Sequence, residues 1–377
     1  MPSQYAQGWQ PGQPVADEFF AIAAQVYDRD PHWIPEYQPA IRAQFSADNP
    51  YFEQCEAEIF LAKDQCRLVG FFNGQQSIEG EAVAYFGYWE TVNDVELNRE
   101  IFSEFFDWAK KKGATRVYGP INFTTYGDNR LRIDSFGESA FIGEPYNPDY
   151  YPSILEKLSF DKKFGYMSQI APDVNQVIKL VSPVHHKMMQ QIEGLFTVER
   201  LTGDIWMDNL DVLYPLVDLI FRQNFAYSPI SEATFKKACG ESFAKKLDPE
   251  TSVLVRDAKG RIAGFFIVYP DYGELVNQSG KEQHAVTADT INFAEHYPLL
   301  SEPRLALAKT GGVHPDYRSA GLFTLMSMQV TLWAEDRYER IAGAMVREDN
   351  HSLNYAKHGE IQRNYALFQR ALSDLED

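Results

Sequence analysis

The sequence predicts a mixed α/β fold, an α+β arrangement with mixed sheets, organised as two tandem domains. Three observations predict it. The chain has 377 residues, too long for one ordinary core and fitting two domains of about 150–200 residues each. The same order of elements restarts near the midpoint, a repeat of half the chain length. Residues 304–308 (RLALA) read as a short apolar strand bounded by proline and glycine. A tight polar turn carries that strand into a helix opened by Gly321, because Leu322, Leu325, Met326, Val330 and Trp333 recur at helical spacing.

In the first half, residues 16–26 read as a helix and residues 27–35 as a proline-punctuated aromatic loop. Residues 56–62 and 67–72 form a hairpin, and 81–89 a third strand. A helix over 95–112 carries Ile101, Phe105 and Ala109 on one face, capped by Asn93 or Asp94 and ended by Gly113. A strand over 114–118 follows, and residues 147–160 close the half with a helix. Residues 172–193 connect the halves. The order then restarts: strand 196–201, helix 209–221, polar-aromatic loop 222–231, helix 232–246 and hairpin strands 252–256 and 261–268. Residues 271–300 have no counterpart, and a loop of that length is either a substrate lid or a solvated insertion.

Composition excludes several classes. Hydrophobic content of 45% with 14% aromatics is that of a chain that folds throughout. No apolar run approaches the roughly eighteen residues of a membrane helix, and no basic-then-apolar signal opens the chain. Cys55, Cys66 and Cys239 show no ligand or C-x-x-C spacing and read as reduced thiols of a cytoplasmic protein. A net charge of −18 works against nucleic acid and favours cationic, amine-bearing small molecules. Adjacent His185 and His186 rarely point at one ion, and no metal is expected.

The turn before Gly321 leaves backbone N–H groups pointing one way at a helix N-terminus, an arrangement that attracts phosphate. Arg318 adds a fixed positive charge, and Gly321 lets a ligand approach the backbone. Val313, Pro315, Arg318 and Gly321 stand in the order V-x-P-x-x-R-x-x-G-x-G/A, which resembles the acetyl-CoA-binding motif of the GCN5-related N-acetyltransferases (GNAT superfamily). Phe323 stands where Gly or Ala is usual. Residues 147–160 are similar to the family's N-x-x-Y-Y…G-F helix, with Ser159 for Gly. Residues 348–359 are similar to its N-x-x-S/A…Y…G segment, with Glu360 for an aromatic.

The resemblance implies two tandem GNAT-like domains, each a mostly antiparallel sheet flanked by helices: 1–171, a connecting segment 172–193, and 194–377 carrying the acyl-CoA cradle. The first is a degenerate copy, since residues 91–96 hold no Gly or Arg and place Asp94 and Glu96 where phosphates would sit. The implied activity moves an acetyl or other acyl group from CoA to a small amine by direct attack. Gly312, Val313, Arg318, Ser319, Ala320, Gly321, Leu322 and Asn350 would bind acetyl-CoA or another acyl-CoA. The backbone at Gly312 or Val313 would polarise the thioester, and Tyr355 would protonate the departing sulfur. Strand 304–308 carries no carboxylate, which leaves the base to Glu295, His296 or a water chain. Lys309 and His314 read as solvated side chains near phosphate. The alternatives are long-chain acyl transfer, from CoA or a carrier protein, and a non-catalytic acyl-CoA-binding or scaffold protein. The expected partner is a small-molecule amine, with no nucleic acid and no membrane.

Overall fold

The computed structural model describes residues 9–281, 285–350, 359 and 361–373. The N-terminal half runs α1 (Asp17–Val26), α2 (Gln38–Gln44), β1 (Glu56–Ala62), β2 (Cys66–Ile78), β3 (Glu81–Thr91), α3 (Val95–Lys111), β4 (Arg116–Gly119), β5 (Leu131–Arg132), α4 (Tyr151–Lys157) and β6 (Asp161–Ile170). Helix α5 (Val174–Ile192) leads into β7 (Phe196–Arg200), α6 (Gly203–Asp208), α7 (Leu210–Phe221), α8 (Glu232–Ala238), α9 (Glu241–Ala244), β8 (Val253–Asp257) and β9 (Ile262–Pro270). The chain continues through α10 (Gly273–Lys281), α11 (Phe293–His296), β10 (Leu305–Val313), α12 (Leu322–Trp333), β11 (Arg340–Arg347) and β12 (Ile361–Ala371).

Local chemistry sets these boundaries. Asp94 caps α3 by accepting from the Leu97 N–H, and Gly113, at φ 92°, takes the left-handed turn that ends it. Asp173 caps α5 through the N–H groups of Asn175 and Gln176, so the connecting segment is one continuous helix. The helix expected over 232–246 is instead broken into α8 and α9 at Gly240. A side chain there would lie 2.3 Å from the Lys236 carbonyl oxygen.

Among the described residues all twelve strands belong to one sheet, in the order β1-β2-β3-β4-β12-β6-β11-β10-β9-β8-β7, with β5 also on β12. The order is nearly symmetric about the β12–β6 pair. On each side an antiparallel hairpin leads to a parallel pair, β3 with β4 and β10 with β11. The closing strands are exchanged: β6 of the first half pairs with β11, and β12 of the second half pairs with β4. The two exchanged strands pair antiparallel with each other from Ile361↔Ile170 to Gln369↔Asp161. Each half also carries a bulge on its inner hairpin strand, between Gly87 and Glu90 in β3 and at Lys309 in β10.

Both faces of the sheet are covered. Ile101, Phe102, Phe105 and Ala109 of α3 pack on Leu68 and Phe86, while Phe19 and Ile22 of α1 pack on Val69 and Tyr85 opposite. In the second half α12, beside α5, covers one face, and α6 and α7 cover the other. No helix among the described residues is long and apolar enough to cross a membrane.

Because β12 supplies a neighbour to both β4 and β6, residues 1–171 made alone are expected to show no cooperative thermal unfolding, and co-production with 172–377 should restore it. A sharp transition in the isolated fragment, followed by circular dichroism, would overturn the exchange.

Candidate active site

The cradle begins where β10 ends. Pro315–Ala320 form a 3₁₀ turn, and Gly321 at φ 71° opens α12. Leu322 is fully buried, so only its backbone faces the turn, whereas Arg318, Ser319 and Ala320 are exposed. The Phe323 ring turns away into the core. It lies 5.5 Å from Phe266 and 2.8 Å from where a Gly311 side chain would begin, so it does not fill the cradle. The turn is pinned from below. The Tyr317 hydroxyl donates to Asp257 at 2.7 Å, and Asp257 also accepts from the Lys259 and Arg261 N–H groups. These donors, Tyr317 foremost, hold the Asp257 carboxyl well below the usual carboxylate range. Arg318 donates to the Ile220 carbonyl at 3.3 Å, and the His314 ring accepts from the Asp316 N–H.

From the cradle, β10 leads to a parting of strands. The β10–β11 register runs from Leu305↔Arg340 to Ala308↔Gly343 and stops. Beyond it β11 follows β6 instead, with the Met345 N–H donating to the Ser168 hydroxyl at 2.8 Å. The corresponding place in the first half is closed. The Ile121 N–H continues the β3 ladder to the Phe86 carbonyl at 2.8 Å, and Asn122 Oδ1 accepts from the Tyr88 N–H at 2.8 Å. The helix N-terminus beside it is already occupied by the Asp94 carboxylate.

Nearby lies a cavity of about 520 Å³, and Gly143 of its wall accepts from the Lys309 ammonium. Its apolar walls include Trp33, Ile34, Tyr88, Phe141, Ile142 and Val276. The aromatic loop of the first half and the 271–300 insertion of the second thus face one another across it. The insertion is packed, not solvated: Tyr272, Val276 and Ile291 are buried against Leu307 of β10 and Ala342 of β11. Asp271 fastens it by accepting from the Ile142 and Gly273 N–H groups, both at 3.0 Å.

The cavity is rich in ionisable groups. Arg67, 0% exposed, donates to both oxygens of Glu36, to the Phe19 carbonyl and to the Tyr88 carbonyl. Glu90 accepts from the Tyr151 hydroxyl at 2.6 Å, and burial pushes its carboxyl up to about 7. Glu144 accepts from the Ser168 and Tyr365 hydroxyls, one on each exchanged strand. Lys309, expected near phosphate, instead crosses from the β10 bulge to donate to the Gly143 carbonyl on the cavity wall at 3.1 Å. Burial lowers its pKa, and Glu144, Arg130 and Asp128 lie within electrostatic reach.

Of the residues singled out from sequence, Gly312, Val313, Arg318, Ser319, Ala320, Gly321 and Leu322 form one continuous strand-to-helix path. Gly312 and Val313 are paired with Phe265 and Gly264 of β9 and lie past the parting, which falls at Lys309. Asn350 sits exposed in the turn after β11, its N–H on the Arg347 carbonyl. Tyr355 lies outside the described residues. Glu295 and His296 are engaged locally with Asn292 at the start of α11 and do not line the cavity. His185 bonds Gln329 while His186 bonds Gln190, so the two rings serve different neighbours. Burial raises the Cys239 thiol to about 11, a poor nucleophile. The first-half groups around the cavity escaped the sequence reading because nothing in their spacing ties residues 120–144 to a strand nearly two hundred positions later.

No family model matches the chain. It is similar to protein YghO of Escherichia coli, 21% identical over 263 residues, covering 68% of this chain and 66% of that protein. It is also similar to a bacterial ceramide synthase of Caulobacter vibrioides, 21% identical over 268 residues and 68% of each chain. The chain spans about two thirds of the length of these curated relatives. Among solved structures it resembles the GCN5-related glucosamine N-acetyltransferase region of a fungal multidomain β-N-acetylglucosaminidase, with a TM-score of 0.53 at 12% identity over 98% of this chain and 38% of that one. A tandem GNAT protein from the clavulanic acid pathway matches with a TM-score of 0.48 at 11% identity, over 94% of this chain and 93% of that one.

Two outcomes are expected of the buried charges. Glu36→Ala leaves Arg67 uncompensated and should cost about 3–5 kcal/mol in urea denaturation. Glu90 holds its proton in the folded state up to about pH 7, whereas an unfolded glutamate releases it near about pH 4. Stability therefore falls as pH rises across that window. Glu90→Gln should flatten the fall, gaining on the parent at about pH 8 relative to about pH 5; an equal difference at both would overturn it.

Proposed function

Starting from a GCN5-related N-acetyltransferase fold built twice into one sheet, we propose that this chain is an N-acyltransferase. Its C-terminal half takes an acyl-CoA, and its acceptor is an amine carrying an apolar body. The observation that carries this reading is the parting of β10 and β11 at Ala308 and Gly343, beside Lys309, whose ammonium reaches the wall of the cavity. The CoA diphosphate would meet Arg318 and the backbone of residues 319–322. The pantetheine arm would follow β10 down to Lys309, four residues from Val313 and so about 13 Å at strand spacing. That run brings the thioester to the cavity mouth. Asn350 would flank the arm, and Tyr355 would protonate the departing sulfur.

A cavity of about 520 Å³ with aromatic and aliphatic walls suits an amphiphilic acceptor better than a small polar one. The carboxylates around it suit a cationic amine. The name of the Caulobacter relative, a ceramide synthase, supports the same class, since a ceramide is an amide of a long-chain amino alcohol. The closed cleft of the first half supports one donor per chain.

The test is release of CoA thiol from acetyl-CoA and palmitoyl-CoA, with a long-chain 2-amino-1,3-diol or a short polar amine as acceptor. Amine-dependent release is expected, largest with the long-chain amine. Donor binding without amine-dependent release would make the protein a binder instead. Arg318→Ala should weaken donor binding by about 1.5–3 kcal/mol in calorimetry. Tyr355→Phe should slow turnover while leaving donor affinity near that of the parent.

A further inference from the structure

We propose that Asp128, a residue of the N-terminal half, receives the acceptor's amine and takes its proton for the reaction of the C-terminal half. The inference rests on the acyl-transfer reading above. Five carboxylates line the cavity: Glu36, Glu90, Asp128, Glu144 and Asp289. Arg67 holds Glu36, Tyr151 donates to Glu90, and Ser168 and Tyr365 donate to Glu144. Asp289, on the insertion, has Lys246 as the cation within electrostatic reach, whereas Asp128 has Lys309. Asp128 is an exposed residue on the cavity lining, and among the described residues no hydrogen-bond donor reaches its carboxylate.

Its loop is nevertheless fixed. The Asp128 carbonyl accepts from the Asn122 N–H at 2.8 Å, Ile121 bridges to Asn129, and the Arg130 N–H donates to the Pro120 carbonyl at 2.9 Å. The groups within electrostatic reach of it are Lys309 from β10, Glu36 from the loop before α2 and Tyr88 from β3. Asp128 lines the same cavity as Gly143, which accepts from the Lys309 ammonium at 3.1 Å beside the parting of β10 and β11, where the thioester would lie. The surrounding protein also raises the Asp128 carboxyl above its ordinary value, against the pull of Lys309, which makes it a better proton acceptor.

In the step this assigns, a protonated amine passes one proton to Asp128, and the freed lone pair attacks the thioester carbonyl carbon. The C–N bond forms, the C–S bond breaks as the oxyanion collapses, and the proton that nitrogen still sheds ends on sulfur. The products are an amide and free CoA thiol, and Asp128 returns its proton to solvent. Lys309, a cation at the same place, disfavours a charged ammonium there and so assists the transfer.

The experiment compares Asp128→Asn and Asp128→Glu with the parent, using palmitoyl-CoA and the long-chain 2-amino-1,3-diol. Asp128→Asn is expected to lower kcat/KM for the amine about 100-fold, with palmitoyl-CoA affinity and Tm near the parent's, because no hydrogen bond to the carboxylate is lost. Asp128→Glu should recover part of the loss. The parent's kcat/KM should fall as pH drops through the Asp128 pKa, and this acid limb should be absent in Asp128→Asn. An active parent with an Asp128→Asn variant of equal rate and equal pH profile would overturn this inference alone. A parent inactive with every amine would overturn the acyl-transfer reading, and this inference with it.

Discussion

The antiparallel pairing of β6 with β12 is the constraint on which the rest of the molecule depends. It joins two half-sheets into one, and it decides what their inner strands can do. Once β6 captures β11 beyond Gly343, β10 and β11 have no shared ladder to continue, and a gap opens beside Lys309. The same two strands supply Ser168 and Tyr365, whose hydroxyls fix Glu144 in the cavity wall. A backbone pairing thus sets both the opening and the polar edge beside it.

The two halves of the sheet share one architecture and differ by small local changes. In the first, Asp94 gives the N-terminus of α3 its own anion, satisfying the donors and dipole that phosphate would otherwise meet. Ile121 and Asn122 then extend the β3–β4 ladder across the place where the second copy parts. What the first copy retains is a rigid wall: the aromatic loop, Arg67 clamped on Glu36, and the loop carrying Asp128 and Arg130. Burying Arg67 is tolerable because four acceptors surround it, two of them charged.

Much of this was legible in the sequence because it is local. The turn at Val313–Gly321, the Asp94 cap and the apolar face of α3 are each written within a dozen residues. The exchange was not legible. An alternating pattern marks Tyr365 and Leu367 as strand residues but carries no information on which strand lies beside them. The cavity was hidden for the same reason, since its walls come from residues 32–37, 120–147 and 276–289. Phe323 departs from the motif, and its packing against Phe266 and Gly311 accounts for it.

The exchange also bears on how the chain is made. During synthesis β4 and β6 emerge long before β12, the strand that fills the middle of the sheet. Until then β4 has one unpaired edge and β6 lacks its central neighbour, both open to pairing with other chains. The contacts that relieve this span about two hundred residues and more, a separation that slows folding. Completion of the fold therefore waits on the synthesis of β12, and the interval before it is when this sheet is most prone to aggregate.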